Sequence, residues 1–325
     1  MPIVQLQHVR KAYDAKVAVE DMSFAIEPGT MFGLLGPNGS GKTSSIRMMI
    51  GITIPDSGTV ELFGRPFHRS QLSRVGYLPE ERGLYKKMKV MDQLVFLGQL
   101  HGLSATTARE RAHLWCERME ITEAIGKKTE ELSKGMQQKI QFIAALLHEP
   151  DLIIMDEPFS GLDPVNATLL QDTLVDLRKQ GKAILFSTHR MDQVEKLCDA
   201  IALIHRGRLV LSGSMREVKS RYPRNRVQMT FEGDSTFLQH SSVEEAKIYN
   251  GRAEIKLHSP NGISPDAQPL LAEAVHRGAR ISRFEVMEPT LEEIFIEEIG
   301  ADTAANHAPG ATGSAAALAG DKVHA

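Results

Sequence analysis

The stretch Met31-Phe32-Gly33-Leu34-Leu35-Gly36-Pro37-Asn38-Gly39-Ser40-Gly41-Lys42-Thr43-Ser44 carries three structural statements in fourteen residues. Residues 31–35 are apolar without alternation, as expected of a strand covered on both faces. Residues 36–43 follow the spacing Gly-x-x-x-x-Gly-Lys-Thr, and 43–50 continue as a helix. Glycines allow successive backbone N–H groups to turn inward, and a helix N-terminus behind them favours negative charge. Such a loop cradles phosphate oxygens. In it, Lys42 is placed to reach the β- and γ-phosphates and the Thr43 hydroxyl to bind magnesium. A tight turn without a ligand is the plain alternative, and the strand before and helix after argue against it.

Working outward, residues 3–9, 17–19 and 22–26 read as short apolar runs before a Pro28-Gly29 turn. Residues 56–63 and 75–78 read as turn-and-strand units. From about residue 88 to 147 the period changes, with Leu94, Leu97, Leu100, Ala112, Trp115, Met119, Ile140, Ile143 and Leu147 at helical spacing. Trp115 is expected in the core of that helical block. Strands return at 152–155, 183–186 and 201–204, with a helix at 167–180 between the first two. Strands alternating with helices imply a largely parallel sheet buried on both faces. Past Tyr222-Pro223 the chain reads as strands at 226–231, 253–257 and 281–286. Helices are expected there at 267–277 and 290–299. From about residue 301 the sequence is rich in Ala, Gly and Thr and is expected to be disordered.

The strand at 152–155 runs into Asp156 and Glu157. Neighbouring residues on a strand point to opposite faces, so this pair must lie where the strand ends, and Pro158 agrees. Beside a phosphate loop, Asp156 suits a magnesium ligand and Glu157 a residue that polarises an attacking water.

With these motifs in place, residues 3–220 resemble the nucleotide-binding subunit of an ATP-binding cassette (ABC) transporter. Leu132-Ser133-Lys134-Gly135-Met136-Gln137 is similar to the family signature Leu-Ser-Gly-Gly-Gln. Ser160-Gly161-Leu162-Asp163 matches the D-loop and His189 the switch histidine. Tyr13 stands where the family stacks an aromatic ring on adenine, with core packing as the alternative for this side chain. The resemblance implies ATP and magnesium as ligands and Gly36, Pro37, Asn38, Gly39, Ser40, Gly41, Lys42, Thr43 and Ser44 as the ATP-binding loop. It also implies that Ser133, Lys134, Gly135 and Met136 complete the site of a second, head-to-tail subunit. Two positions depart from the family. Glu80 stands where glutamine is usual, still able to offer an oxygen to magnesium or water. Lys134 and Met136 replace the common glycine and glutamine, while Ser133 and Gly135 remain. The segment from Glu80 to Tyr85 and the run Glu288-Pro289-Thr290-Leu291-Glu292-Glu293-Ile294-Phe295 are similar to an exporter-type branch that includes sodium- and drug-efflux subunits.

Bulk properties bound the rest. A net charge of −3 disfavours nucleic acid as the main partner, which usually needs a basic excess. Cys116 and Cys198 have no CxxC spacing, so two reduced, buried thiols are expected rather than zinc or a disulfide. No secretory signal is visible at the N-terminus, and the longest apolar runs fall short of the ~20 residues of a membrane-spanning helix.

The expected architecture is therefore α/β: a P-loop ABC cassette over 1–220 with a mixed sheet, an antiparallel N-terminal part and a helical insertion at about 88–147. A small α+β domain at 221–300 and the tail at 301–325 complete it. The expected function is ATP hydrolysis driving a membrane exporter, at the cytoplasmic face of the membrane, through an integral-membrane permease and a paired cassette. The alternative is a soluble ABC ATPase acting on DNA or ribosomes. One unsplit cassette with an acidic balance disfavours it.

Overall fold

The computed structural model describes residues 1–81 and 83–306. Arg82 and the expected disordered tail from 307 onward lie outside the described residues.

The first three apolar runs join into a hairpin of β1 (Val4–Tyr13) and β2 (Lys16–Ile26), closed through Asp14 at φ 49°. Polar residues on the solvent face of these strands hide their continuity in the sequence. Next come β3 (Met31–Leu35) and α1 (Lys42–Met49), then β4 (Ser57–Leu62), the short β5 (Arg65–Pro66) and β6 (Val75–Leu78). The helical block holds α2 (Val90–Leu100), α3 (Ala105–Arg118) and α4 (Lys134–Leu146). After it, β7 (Leu152–Asp156), α5 (Pro164–Lys179), β8 (Ala183–Thr188), α6 (Met191–Leu197) and β9 (Ala200–His205) restore the alternation. A further strand and helix, β10 (Arg208–Ser214) and α7 (Met215–Ser220), end this part of the chain.

These strands form one ten-stranded sheet in the order β5-β4-β1-β2-β10-β9-β3-β8-β7-β6. The run from β9 through β3, β8 and β7 to β6 is parallel. The other flank is joined by antiparallel pairs, apart from one parallel link between Arg208 and Asp21. The expectation of a largely parallel sheet thus holds for half of it. Alternate residues of the parallel strands feed two cores. Met31, Leu35, Ile153 and Met155 face the helical side. Phe32, Leu34, Leu152 and Ile154 face α1 and the antiparallel strands. Trp115 is half-buried and meets Phe142 edge-on at 6.3 Å, at the margin of the first core. Both cysteines are buried and unpaired.

A second sheet of four strands carries the C-terminal part: β11 (Arg226–Glu232), β12 (Val243–Tyr249) and β13 (Arg252–Leu257) come first in the chain. Helix α8 (Gln268–His276) and strand β14 (Arg280–Met287) follow, in the sheet order β12-β13-β11-β14. Its own core is built on Val227, Met229, Phe237, Ile255, Leu257 and Leu270. Helix α9 (Leu291–Asn306) then leaves that sheet and returns to the large one, where Leu291 and Ile294 are buried in the helical-side core. The helix extends to Asn306, into the first residues of the segment from 301 onward.

One stacked pair of histidines, His148 half-buried and His101 exposed, sits between α2, α4 and β6. The rings of His101 and His148 stack at 3.8 Å, and His148 Nε2 lies 3.0 Å from the Val75 carbonyl, so this nitrogen carries the proton. Burial, then the neighbouring His101, pushes His148 down from 6.5 to about 4. The unfolded chain therefore binds the extra proton first as pH falls. The resulting stability is complete above pH 6.5 and is lost as pH falls towards 4. The thermal midpoint should drop across this window, and His148→Leu should flatten that drop when unfolding is followed by circular dichroism against pH.

Candidate functional site

Parallel strands that share a direction also share an end, and ligands of such sheets gather at the carboxyl ends. Here the phosphate loop follows β3, Glu80 follows β6, the acid pair closes β7 and His189 follows β8. Four separate pieces of sequence are thereby brought to one edge.

The loop is held so tightly that two of its glycines have no substitute. Gly41 begins α1 at φ 114°, and a Cβ there would lie 2.5 Å from the Ala18 carbonyl oxygen. A Cβ on Gly36 would lie 2.2 Å from that of Ile204. Behind the loop, the Gly207 N–H donates to Ser40 O at 2.8 Å. The amides of Lys42, Thr43 and Ser44 open the helix and have no earlier carbonyl in it to bond. Lys42 is 6% exposed, and its Nζ donates to Gly36 O at 2.7 Å and Pro37 O at 3.1 Å. An ammonium has three N–H bonds, so one is left for a phosphate oxygen. Burial lowers the Lys42 pKa, opposed by the nearby charges of Glu157, Asp156 and Glu80.

Strand β7 ends at Asp156, and Glu157 takes φ 49°. That left-handed residue breaks the alternation, so two sequence neighbours serve one site. Asp156 is buried; its Oδ1 accepts from the Ser187 hydroxyl, while Oδ2 is buried with no partner among the described residues. Glu157 is oriented by Thr188 Oγ1 at 3.1 Å to Oε2, and at Oε1 by the His189 amide at 3.1 Å and His189 Nδ1 at 2.9 Å. Facing a carboxylate, Nδ1 is the donor. The side chain of Glu157 is 12% exposed and that of His189 55%, so the carboxylate is sheltered and the imidazole reaches solvent.

A cavity of about 410 Å³ joins these pieces, lined by Tyr13, Lys16, Ala18, Asn38, Gly39, Gly41, Lys42, Thr43, Ser44, Glu80, Asp156 and Glu157. Gly36, Pro37 and Ser40 lie behind its wall, and His189 reaches it through Glu157. Tyr13 is 41% exposed, which rules out the core-packing alternative; its hydroxyl donates to Thr53 Oγ1 at 3.4 Å. Lys16, Ser187 and Thr188 belong to the site without having been singled out from the sequence. The Ser-Thr pair that ends an apolar strand next to the acid-bearing strand was the available signal.

The orphaned Asp156 Oδ2 and the Thr43 side chain at the same cavity are oxygen donors of the kind a hard divalent cation takes. Among the described residues no group of three or more His, Cys, Asp or Glu could cage a metal, so phosphate oxygens and water would have to complete its shell.

The signature residues stand apart from this cavity. Ser133 caps α4, its Oγ accepting from the Met136 N–H at 3.2 Å, and both Ser133 and Lys134 are exposed with Gly135 and Met136 half-buried. The Ser133 O–H remains able to donate outward. Asp163 caps α5 through the Asn166 amide at 2.9 Å, and that backbone hydrogen bond holds its carboxyl below the usual carboxylate range.

Comparison with known proteins gives a consistent picture. The family described as ABC transporter matches residues 19–160, and that described as ATP-binding protein DrrA1-3-like, C-terminal domain, matches 213–299. The uncharacterized ABC transporter ATP-binding protein YhaQ of Bacillus subtilis is 43% identical over 300 residues, 92% of this chain and 99% of the relative. The linearmycin resistance ATP-binding protein LnrL of the same organism is 32% identical over 307 residues, 92% of this chain and 98% of the relative. Among solved structures, cbiO1 of Clostridium perfringens, part of the ABC transporter complex cbiONQ, superposes with a TM-score of 0.60 at 27% identity. That match covers 67% of this chain and 91% of the other.

Because Gly41 combines a left-handed backbone with a carbonyl at contact distance, Gly41→Ala should weaken ATP binding at least about tenfold. Titration calorimetry measures this, with an unchanged far-ultraviolet spectrum as the check on folding.

Proposed function

This chain belongs to the family of ABC transporter ATP-binding proteins, and on that footing we propose that it hydrolyses ATP to power an exporter. The observation that carries the reading is Glu157, held by three donors at the mouth of a cavity that also contains the phosphate loop and Asp156.

In this reading Tyr13 stacks on adenine and the amides of 39–44 hold the phosphates, with Lys42 on the β- and γ-oxygens. Thr43 and Asp156 hold magnesium, and Ser187 fixes the Asp156 carboxylate for that task. Magnesium, when bound, neutralises charge on the phosphate oxygens. Glu80 offers a further oxygen to magnesium or to water. Glu157 orients a water and takes its proton as the water oxygen bonds to the γ-phosphorus. The bond to the β,γ-bridging oxygen breaks, leaving ADP and phosphate. His189 fixes the Glu157 carboxylate through its Nδ1–H, and in the protonated form its Nε2–H would also donate to the γ-phosphoryl oxygens.

A second cassette supplies Ser133, Lys134, Gly135 and Met136, with Asp163 beside them, to the γ-phosphate of the first. Support comes from the exposure of Ser133, Lys134 and Asp163 and from the helix N-terminus that Ser133 caps, which lies outside the phosphate-loop cavity. Export is supported by the similarity to LnrL and to Nod factor export ATP-binding protein I of Paraburkholderia xenovorans, 37% identical over 65% of this chain. Among the described residues no helix is long and apolar enough to cross a membrane, so the reading places the conducting path in a separate permease. The chain would then sit at the cytoplasmic face of that membrane.

Glu157→Gln should leave ATP affinity within about threefold while lowering turnover by about 10²–10⁴. Binding by calorimetry and phosphate release measure the two; substantial residual turnover would remove Glu157 from this role. Lys86 and Lys87, exposed after the Glu80 segment, are assigned to the permease contact. Reversing both charges should reduce co-purification of a membrane-spanning partner, and unchanged recovery would sink the assignment.

A further inference from the structure

Helix α9 brings Phe295 back from the accessory sheet to the large one. There the rings of Phe295 and His205 form a T-shaped pair, 6.2 Å between centroids and 81° between planes. His205 is the last residue of β9, and its Nδ1 is buried with no hydrogen-bond partner among the described residues. No polar contact steers that side of the ring, so packing against Phe295 does.

His205 stands between two contacts that shape the phosphate loop. On one side, the Ile204 carbonyl occupies the space a Gly36 side chain would need. On the other, Arg206 at φ 48° and Gly207 at φ 80° turn the chain into β10. That turn is pinned twice: the Gly207 N–H donates to Ser40 O, and Gly207 O accepts from the Glu20 N–H, each at 2.8 Å. β9 also lies beside β3, with Leu203 opposite Leu35. His205 is thus joined directly to one support, the Ile204 carbonyl at Gly36, and through Arg206 to the other, the Gly207 amide at Ser40.

We propose that Phe295 is a positioning residue for the phosphate loop: it holds His205, and through the 204–207 turn it keeps the loop in its phosphate-accepting shape. This assigns to the accessory domain a role in nucleotide affinity, and it rests on reading this loop as the ATP site. Leu291 and Ile294 of the same helix are buried deeper, in the helical-side core, and anchor α9, whereas Phe295 packs on the residue that leads into the loop supports.

The test compares full-length wild type, Phe295→Ala, Phe295→Tyr and Ile294→Ala, with ATP as the probe in titration calorimetry and steady-state hydrolysis. Phe295→Ala should raise Kd and KM for ATP about 2- to 30-fold while kcat stays within about twofold. Phe295→Tyr, which keeps the ring, should restore both. Ile294→Ala should lower the thermal midpoint without changing ATP affinity. Wild-type affinity in Phe295→Ala, or an equal loss in Ile294→Ala, would overturn the proposal. Should Phe295→Ala not fold, Phe295→Leu is judged by the same criteria. A wild-type chain that bound no ATP would defeat the ATP-site reading itself, a failure visible before any variant is compared.

Discussion

Everything at the site depends on how closely backbone passes backbone around the phosphate loop. The loop can wrap inward only because Gly36 and Gly41 carry no Cβ, with the carbonyls of Ile204 and Ala18 filling the space one would occupy. Those carbonyls belong to β9 and β2, strands far apart in the chain. The loop's shape is thus set by the strand order of the sheet as much as by its own glycines. Neighbouring strands must be in register before the cradle exists. This explains why the same eight-residue spacing in another context would be merely a turn.

The parallel half of the sheet was legible because burial on both faces leaves uninterrupted apolar runs, as in β3, β7 and β8. Strands with one wet face were harder. β12 reads Val-Glu-Glu-Ala-Lys-Ile-Tyr, with no buried residue, and carries no core signal at all. β10 alternates too weakly to stand out, and its place in the sheet is set by the tight turn at Arg206-Gly207 rather than by apolar content. Helix α9 shows a different limit. Its apolar residues were evident, but sequence adjacency assigned them to the accessory sheet, whereas Leu291 and Ile294 bury themselves in the core of the large one.

At the site, residues whose chemistry is tied to a fixed spacing were readable: the loop from Gly36 to Ser44 and the pair Asp156-Glu157. Of the residues that orient them, His189 was readable and the two before it were not. Ser187 and Thr188 are ordinary strand residues until β8 pairs with β7 and sets Asp156 opposite Ser187. Their function is a product of register, a property that no short motif encodes. Glu157 is an intermediate case. The need for a strand end was evident, but the left-handed backbone that meets it appears only in three dimensions.

The charges of the cavity then define what it accepts. Glu80, Asp156 and Glu157 line it with only Lys16 and Lys42 as opposing side chains. With glutamine at position 80 the carboxylates and ammoniums would balance; glutamate leaves an excess of one negative charge. A bare triphosphate brought into that field would meet repulsion that the loop amides and helix N-terminus offset only in part. A divalent cation would reverse the balance on the proposed reading, because the orphaned Asp156 oxygen and the phosphates could share it. On the proposed reading, Glu80 would favour the metal-bound nucleotide over the free one, since each added carboxylate disfavours the free polyanion more than the neutralised one.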